Sequence, residues 1–219
     1  MRNFTDRVAV VTGAGSGIGR AICLELARRG AYIAAADIDG DGLADLKREV
    51  ELLNRKCSVH VLDVSSREQM ESLPQQVLAA HGAVHILVNN AGVSVNLSFR
   101  EQEVEDLEWI TGINYWGVMY GCKFFLPLLL EAEEAHIVNI SSSAGFTGMK
   151  WQSSYAATKF AVTGLSESLF VELANTNVGI TCVHPGAVAT NILDAARMEQ
   201  GRRERLLKTF KYATPPAHA

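Results

Sequence analysis

The stretch Thr12-Gly13-Ala14-Gly15-Ser16-Gly17-Ile18-Gly19 decides the fold. It follows the apolar run at residues 8–11 directly and leads into a segment of helical spacing, residues 20–29, that stops at Gly30. Strand, glycine-rich turn and helix in that order open a βαβ unit. Glycines at 13, 17 and 19 permit a tight turn, a close backbone approach to a pyrophosphate, and close packing of helix on strand; Ser16 and Ile18 belong to the same turn, and the free N–H groups at the helix start face an anion. The strict GxGxxG spacing is not met, because Ile18 stands where its third glycine belongs, and the match is to the variant TGxxxGxG.

Short apolar, β-branched runs recur at residues 32–36, 59–62, 86–88, 137–140 and 180–183, separated by longer helical segments. This rhythm, with strands apolar on both faces, predicts an α/β fold, a Rossmann-like doubly wound parallel sheet with helices on each side. The 219 residues, 48% apolar and 20% charged, suit one dinucleotide-binding domain over residues 1–219, and no linker, repeat or low-complexity segment divides them. A net charge of -4 offers no broad footprint for nucleic acid. Cys23, Cys57, Cys122 and Cys182 are far apart and read as reduced, mostly buried thiols, not as a metal site or a disulfide framework. The longest apolar run, residues 124–130, contains Pro127 and is about a third of a membrane span. The expectation is a cytoplasmic protein with no membrane partner.

Asp37 closes the second strand, where a carboxylate accepts hydrogen bonds from adenosine ribose hydroxyls and repels a 2′-phosphate. No base stands at Ala14, Ser16 or Ile38 to attract that phosphate, so NAD is favoured over NADP. Asp63-Val64 after the third run and Asn89-Asn90-Ala91-Gly92 after the fourth lie at the same carboxyl edge, where ligands of open α/β sheets sit. Asp63 is expected at the adenine edge, and Asn89 beneath the cofactor loop.

Tyr155 and Lys159 are four apart in a long helical segment, hence on one face. An ammonium beside a phenol favours the phenolate, lowering a pKa of ~10 toward the working range and making Tyr155 a general acid/base. The fifth run ends in Asn139-Ile140-Ser141-Ser142-Ser143-Ala144-Gly145; Ser142 is the choice for orienting a substrate oxygen, with Ser141 and Ser143 left as cap or turn residues. Asn114, amid an apolar helical stretch, needs a partner or a water and anchors a proton path behind Lys159.

Taken together these residues resemble the shorter, single-domain branch of the short-chain dehydrogenase/reductases. The resemblance rests on the glycine turn at 12–19, Asp37, Asp63-Val64, the Asn-Asn-Ala-Gly at 89–92, Asn114, Ser142, Tyr155 with Lys159, and Pro185-Gly186 followed by Thr190. It implies a catalytic set Asn114, Ser142, Tyr155, Lys159, with Lys159 also holding the nicotinamide ribose. It further implies cofactor contacts from Gly13, Ser16, Gly17, Ile18, Gly19, Asp37, Asp63, Val64, Asn90, Ala91, Gly92, Pro185, Gly186, Val188 and Thr190. The reaction it implies is hydride transfer between the nicotinamide and a secondary alcohol or carbonyl carbon of a small, apolar substrate. The NAD-type site favours alcohol oxidation, although cofactor preference does not fix the direction. Members of that branch continue past this endpoint with a further helix and edge strand, which this chain is expected to lack, as either a truncated or a naturally short chain. Thr214-Pro215 reads as the start of such a helix.

Substrate identity is expected to reside at residues 94–96, 146–152 and from Thr190 onward, with Val95, Phe146, Met149, Trp151 and Met198 as an apolar pocket. Residues 190–219 carry six bases and three acids, read as a solvated lid, with anionic-substrate recognition by those bases as the alternative. Helical segments 114–130 and 154–173, apolar around much of their girth, suggest a homodimer or homotetramer. The rival functions are a catalytically inactive NAD(H)-sensing scaffold of the same fold and a sugar-nucleotide epimerase or dehydratase. The latter normally needs a large second domain for which there is no room.

Overall fold

A computed structural model describes residues 1, 3–199, 201, 203, 204, 206 and 213–218. Its centre is a six-stranded parallel sheet of β1 (Val8–Thr12), β2 (Tyr32–Asp37), β3 (Cys57–Val61), β4 (Ile86–Asn89), β6 (Ala135–Ile140) and β7 (Val178–Val183). Their order is β3-β2-β1-β4-β6-β7. Sequence order reverses between β1 and β4, and the carboxyl ends of those two neighbours open the crevice where such sheets take their ligands.

Alternate residues of each strand feed two cores. Ala9, Val11, Ile33 and Ala35 pack under α1 (Gly17–Arg28) and α2 (Gly40–Leu52), against Cys23, Ala27, Leu43, Leu46 and Val50. Val8, Val10, Ala34 and Ala36 face the other way, toward α3 (Arg67–His81), α5 (Gly117–Glu131) and α6 (Ser153–Glu172), and meet Met70, Leu73, Phe125, Leu129 and Val162. This two-sided burial explains why the strands read as continuous apolar runs. Each fully buried Phe or Leu contributes roughly 1.5–3 kcal/mol relative to exposure. The sheet's two edges differ from that rule: on β3, Val61 stays 65% exposed.

Three features depart from the sequence reading. Two-residue strands β5 (Val95–Asn96) and β8 (Arg197–Met198) pair in parallel and tie the start of the substrate-side loop to residues a hundred positions later. The helical segment around Asn114 is interrupted: α4 (Val104–Thr111) runs into a π turn, Gly112–Trp116, before α5 begins. Thr214 does not cap a helix. It bridges Val188, its N–H donating to the Ala187 carbonyl at 3.1 Å and its own carbonyl accepting from Ala189 at 2.9 Å, and only a single 3₁₀ turn, Pro216–His218, follows.

All four cysteines are free thiols, Cys182 partly accessible and the others buried. Among the described residues no helix is long and apolar enough to cross a membrane.

Candidate active site

The glycine turn is built as a cradle. Gly13 sits at φ +65°, and a Cβ there would stand 2.8 Å from Ala91 Cα, so the first turn cannot admit a side chain. Gly19 packs its Cα edge onto the Gly13 carbonyl, which a Cβ would meet at 2.1 Å. Ser16 precedes α1 without capping it through its side chain, so the N–H groups of the first turn keep no internal acceptor. They give the crevice a partial positive charge suited to a phosphate. Gly17 faces the Thr190 side chain, where a Cβ would be 3.2 Å away, so Thr190 crosses directly over the turn.

Asp37 ends β2 beside this cradle. Its Oδ2 accepts from Gly15 N–H at 2.8 Å and its Oδ1 from Asp39 N–H at 3.0 Å, so the carboxylate is already oriented. A glycine cradle, uncapped N–H groups and an oriented carboxylate fit an adenine dinucleotide. A cleft of about 530 Å³ runs from here along the sheet edge. Gly13, Ser16, Gly17, Ile18, Asp37, Asp63, Val64, Asn90, Ala91, Gly92, Ser142, Tyr155, Lys159, Pro185, Gly186, Val188 and Thr190 all line it. Gly19 and Asn114 stand behind its wall.

One assignment at the fourth strand is corrected. Asn89 does not support the cofactor loop; it is buried inside β4, donating to Asn139 Oδ1 at 2.8 Å and to Cys122 Sγ at 3.4 Å. Asn90 holds the loop instead. Its Nδ2 donates to the Thr12 carbonyl at 2.9 Å and the Gly13 carbonyl at 3.1 Å, while Thr12 Oγ1 accepts from Asn90 N–H and Ala91 N–H. Asp63, at the cleft rim, accepts from Ser65 N–H at 2.8 Å and Ser65 Oγ at 2.7 Å.

At the other end of the cleft α6 presents Tyr155 and Lys159. Lys159 is 4% exposed and its Nζ donates to the Ile140 carbonyl at 2.9 Å. Burial lowers its pKa from 10.5 to about 8, against an opposing contribution from nearby Cys182. Burial also raises the Tyr155 phenol, and the hydrogen bond from Ser142 opposes it. The expectation that the ammonium lowers the phenol is therefore not met. Four-residue spacing sets Nζ 5.8 Å from the ring centroid, with its proton given to a backbone carbonyl, and loss of solvent dominates.

Ser142 also accepts from Ala144 N–H at 3.2 Å, capping a 3₁₀ turn, Ser143–Gly145. Ser141 turns inward to the Lys159 carbonyl and Thr163, leaving Ser142 as the partner of the phenol. Asn114 is fully buried in the π turn. Its amide grips Val93 from both sides, Oδ1 accepting from Val93 N–H at 2.8 Å and Nδ2 donating to the Val93 carbonyl at 2.9 Å, with Thr158 Oγ1 at 3.3 Å. It closes the loop that carries Gly92, whose open face looks toward both Asn114 Oδ1 and Lys159 Nζ. The π turn, a feature local propensity does not signal, is what aims this amide inward.

The substrate side differs from the expected pocket. Met149 lines the cleft, but Val95 is fully buried against Ile110, Ala144, Tyr155 and Ala156. Phe146 stacks on His184 with centroids 3.8 Å apart, and Trp151 lies under Lys150. Neither they nor Met198 line the cleft. The apolar wall comes instead from Trp109, Ile113, Ile192, Leu193 and Leu206, brought in by α4, the π turn and the segment after Thr190. Two of the lid's bases are committed internally: Arg197 pairs with Asp106 at 2.7 Å and stacks on Trp109 at 4.1 Å, and Arg203 pairs with Asp194. The bases Arg202, Arg205, Lys208 and Lys211 lie outside the described residues.

The sequence profile of the short chain dehydrogenase family matches residues 7–201. The chain belongs to the short-chain dehydrogenase family. Its relatives are oxidoreductases by name: it is 41% identical over 212 residues to SadH of Mycobacterium tuberculosis, covering 96% of this chain and 77% of that protein. It is 33% identical to the 3-oxoacyl-[acyl-carrier-protein] reductase FabG of Thermotoga maritima, over 92% of this chain and 81% of that one. A Burkholderia phymatum short-chain dehydrogenase/reductase solved with NAD superposes with a TM-score of 0.94 at 33% identity, over 99% of this chain and 84% of that one. The alcohol dehydrogenase of Thermococcus sibiricus, solved with 5-hydroxy-NADP, gives 0.85 at 27% identity, over 96% and 86%. The family thus takes either nicotinamide dinucleotide.

Proposed function

We propose that this short-chain dehydrogenase is an NAD-dependent oxidoreductase acting on a secondary alcohol or carbonyl of a small, largely apolar substrate. The observation that carries the reading is the phenol of Tyr155, buried at the cleft edge on the same wall as Ser142 and one helical turn from the buried Lys159. NAD would be held by the cradle at Gly13, Ser16, Gly17, Ile18 and Gly19, with Asp37 at the ribose. Asp63 and Val64, the Asn90-Ala91-Gly92 loop, Lys159, and Pro185, Gly186, Val188 and Thr190 supply the other contacts. When bound, the nicotinamide supplies or accepts a hydride at the substrate carbon.

Tyr155 handles the proton. A phenol held above its ordinary pKa stays protonated at neutral pH and donates to the carbonyl oxygen as that oxygen gains charge. Ser142, on the same cleft wall as the phenol, would hold the same substrate oxygen. Lys159 keeps most of its charge at pH 7 and favours the phenolate that remains after transfer. Asn114 locks the Gly92–Val93 loop against which this cluster packs. Asp37 supports NAD over NADP, since its fixed carboxylate repels a 2′-phosphate.

Trp116, exposed, stacks on the half-buried Tyr120 and Tyr120 on the half-buried Phe124, with rings 5.6 and 5.8 Å apart along the π turn and α5, which supports a homodimer or homotetramer. Free thiols suit the reducing cytoplasm. The test of the reaction is Tyr155→Phe: turnover of a ketone panel followed by nicotinamide absorbance falls by at least about 10²-fold, the size of a lost general acid, while NADH affinity is kept. Undiminished turnover refutes the assignment.

A further inference from the structure

The substrate wall contains a directed chain of side-chain hydrogen bonds. Gln152 Nε2 donates to Asn96 Oδ1 at 2.7 Å, and Asn96 Nδ2 donates to Ser94 Oγ at 2.9 Å. All three residues line the cleft. The order of donation is set by the amide of Asn96: with its oxygen taken by Gln152, its nitrogen faces Ser94 and can only give. Ser94 Oγ has therefore accepted a bond, and its own proton has to go to another acceptor. Among the described residues none receives it, although Ser94 is only 4% exposed. A buried hydroxyl without an acceptor has given up its bond to water unreplaced, and a ligand oxygen would restore it.

The chain is also anchored at its ends. Ser94 carbonyl accepts from Arg197 N–H at 3.1 Å, and Asn96 lies in register with Met198 in the β5–β8 pair. Gln152 is the residue before α6, three positions ahead of Tyr155, and its carbonyl accepts from Ala156 N–H at 2.7 Å. The donor at Ser94 is thus fixed to the helix that carries the proton-transfer residue.

We infer that Ser94, oriented by Asn96 and Gln152, is a specificity-determining donor for a second oxygen of the substrate. The substrate class is a ketone or secondary alcohol whose apolar body bears a further acceptor, a keto, ester or thioester carbonyl. This rests on the oxidoreductase reading above and narrows its substrate. A monofunctional ketone leaves the Ser94 proton unanswered and is discriminated against, as sites built around a buried polar group reject analogues that lack its partner.

The experiment compares the intact enzyme with NADH on three probes of matched size: 2-octanone, 2,3-heptanedione and ethyl 3-oxobutanoate. For the wild type, kcat/KM for the better dioxygenated probe exceeds that for 2-octanone by about tenfold, the size of one retained hydrogen bond. Ser94→Ala brings that ratio close to one, chiefly through KM, and Ser94→Thr, which keeps the hydroxyl, preserves it. Asn96→Asp turns Ser94 round, since a carboxylate accepts where the amide donated, and removes the preference although the hydroxyl remains. Melting temperature and NADH affinity of each variant identify a folding defect, and Ser94→Thr then decides alone. A ratio unchanged in both Ser94→Ala and Asn96→Asp overturns the inference, as does a parallel fall on all three probes. A wild type that reduces 2-octanone as well as the others overturns it while leaving the oxidoreductase reading intact. A wild type that reduces none of them, or a Tyr155→Phe variant that reduces them all, overturns that reading and the inference with it.

Discussion

Replacing Lys159 by Met is expected to make the protein more stable at neutral pH while removing its activity. Lys159 is 4% exposed, and burial moves its pKa from 10.5 to about 8. That difference corresponds to about 3 kcal/mol of disfavoured charge at pH 7, where the folded chain must keep the proton that the unfolded chain holds easily. Met keeps the unbranched stem and removes the charge. It also strips the Ile140 carbonyl of the 2.9 Å bond from Nζ, a loss of about 1 kcal/mol. The net gain at pH 7 is about 2 kcal/mol.

The pH dependence separates this from ordinary repacking. A lysine depressed in the folded state withholds stability below its folded pKa, and the wild type regains it as pH rises from about 8 toward 10.5, where the unfolded chain binds more protons than the folded one. By pH 9.5 the wild type has recovered about 2 kcal/mol of the difference, and the two proteins become about equally stable. Titrating groups that do not interact with Lys159 are common to both chains and cancel in the comparison. The assay is urea denaturation of each at pH 7 and 9.5, with equal m-values as the check on two-state behaviour. A stability difference that is the same at both pH values refutes the claim that buried charge on Lys159 destabilises the fold.

Exchanging Asp37 for Ala removes the oriented carboxylate beside Gly15 and relaxes the preference for NAD over NADP by roughly 10–100-fold, read as the ratio of kcat/KM for the two cofactors. His81, half-buried with its Nε2 2.8 Å from Ser58 Oγ, has a pKa lowered from 6.5 to about 4 by burial, with Lys56 and His60 adding to it. The neutral ring is the stable one, so stability falls as pH drops from about 6.5 toward 4. His81→Asn flattens this acid limb by about 1–2 kcal/mol in denaturation at pH 7 against pH 4.5. Trp116→Lys puts a charge on the exposed outer ring of the aromatic stack and shifts sedimentation equilibrium toward monomer; an unchanged mass distribution counts against that face as the subunit contact.

The fold was legible because burial on both faces writes itself into each strand as an unbroken apolar run, and because the glycine turn fixes where the first helix starts. What escaped depends on directions that spacing does not encode. Asn89 and Asn90 are adjacent and chemically identical, yet consecutive residues at a strand end point to opposite sides, so one joins Asn139 in the core and the other ties the glycine turn. Val95 looked like a pocket residue because it follows the Asn-Asn-Ala-Gly loop. It is drawn into the core by pairing with Arg197, a contact across a hundred residues that no local pattern carries.

The same limit governs the chemistry. A tyrosine four residues before a lysine guarantees that both side chains leave one helical face, but their protonation is decided by what covers that face. Here β6 and the 3₁₀ turn after it cover it so completely that desolvation outweighs mutual attraction, raising the phenol and lowering the amine. Each shift moves its group toward the neutral form, so the buried pair meets a carbonyl with a protonated phenol and an ammonium whose charge is already disfavoured. An anion forming beside that ammonium, a phenolate or a substrate oxygen, stabilises a charge that the apolar surroundings do not, and this coupling gives the transition state an interaction that the resting site lacks.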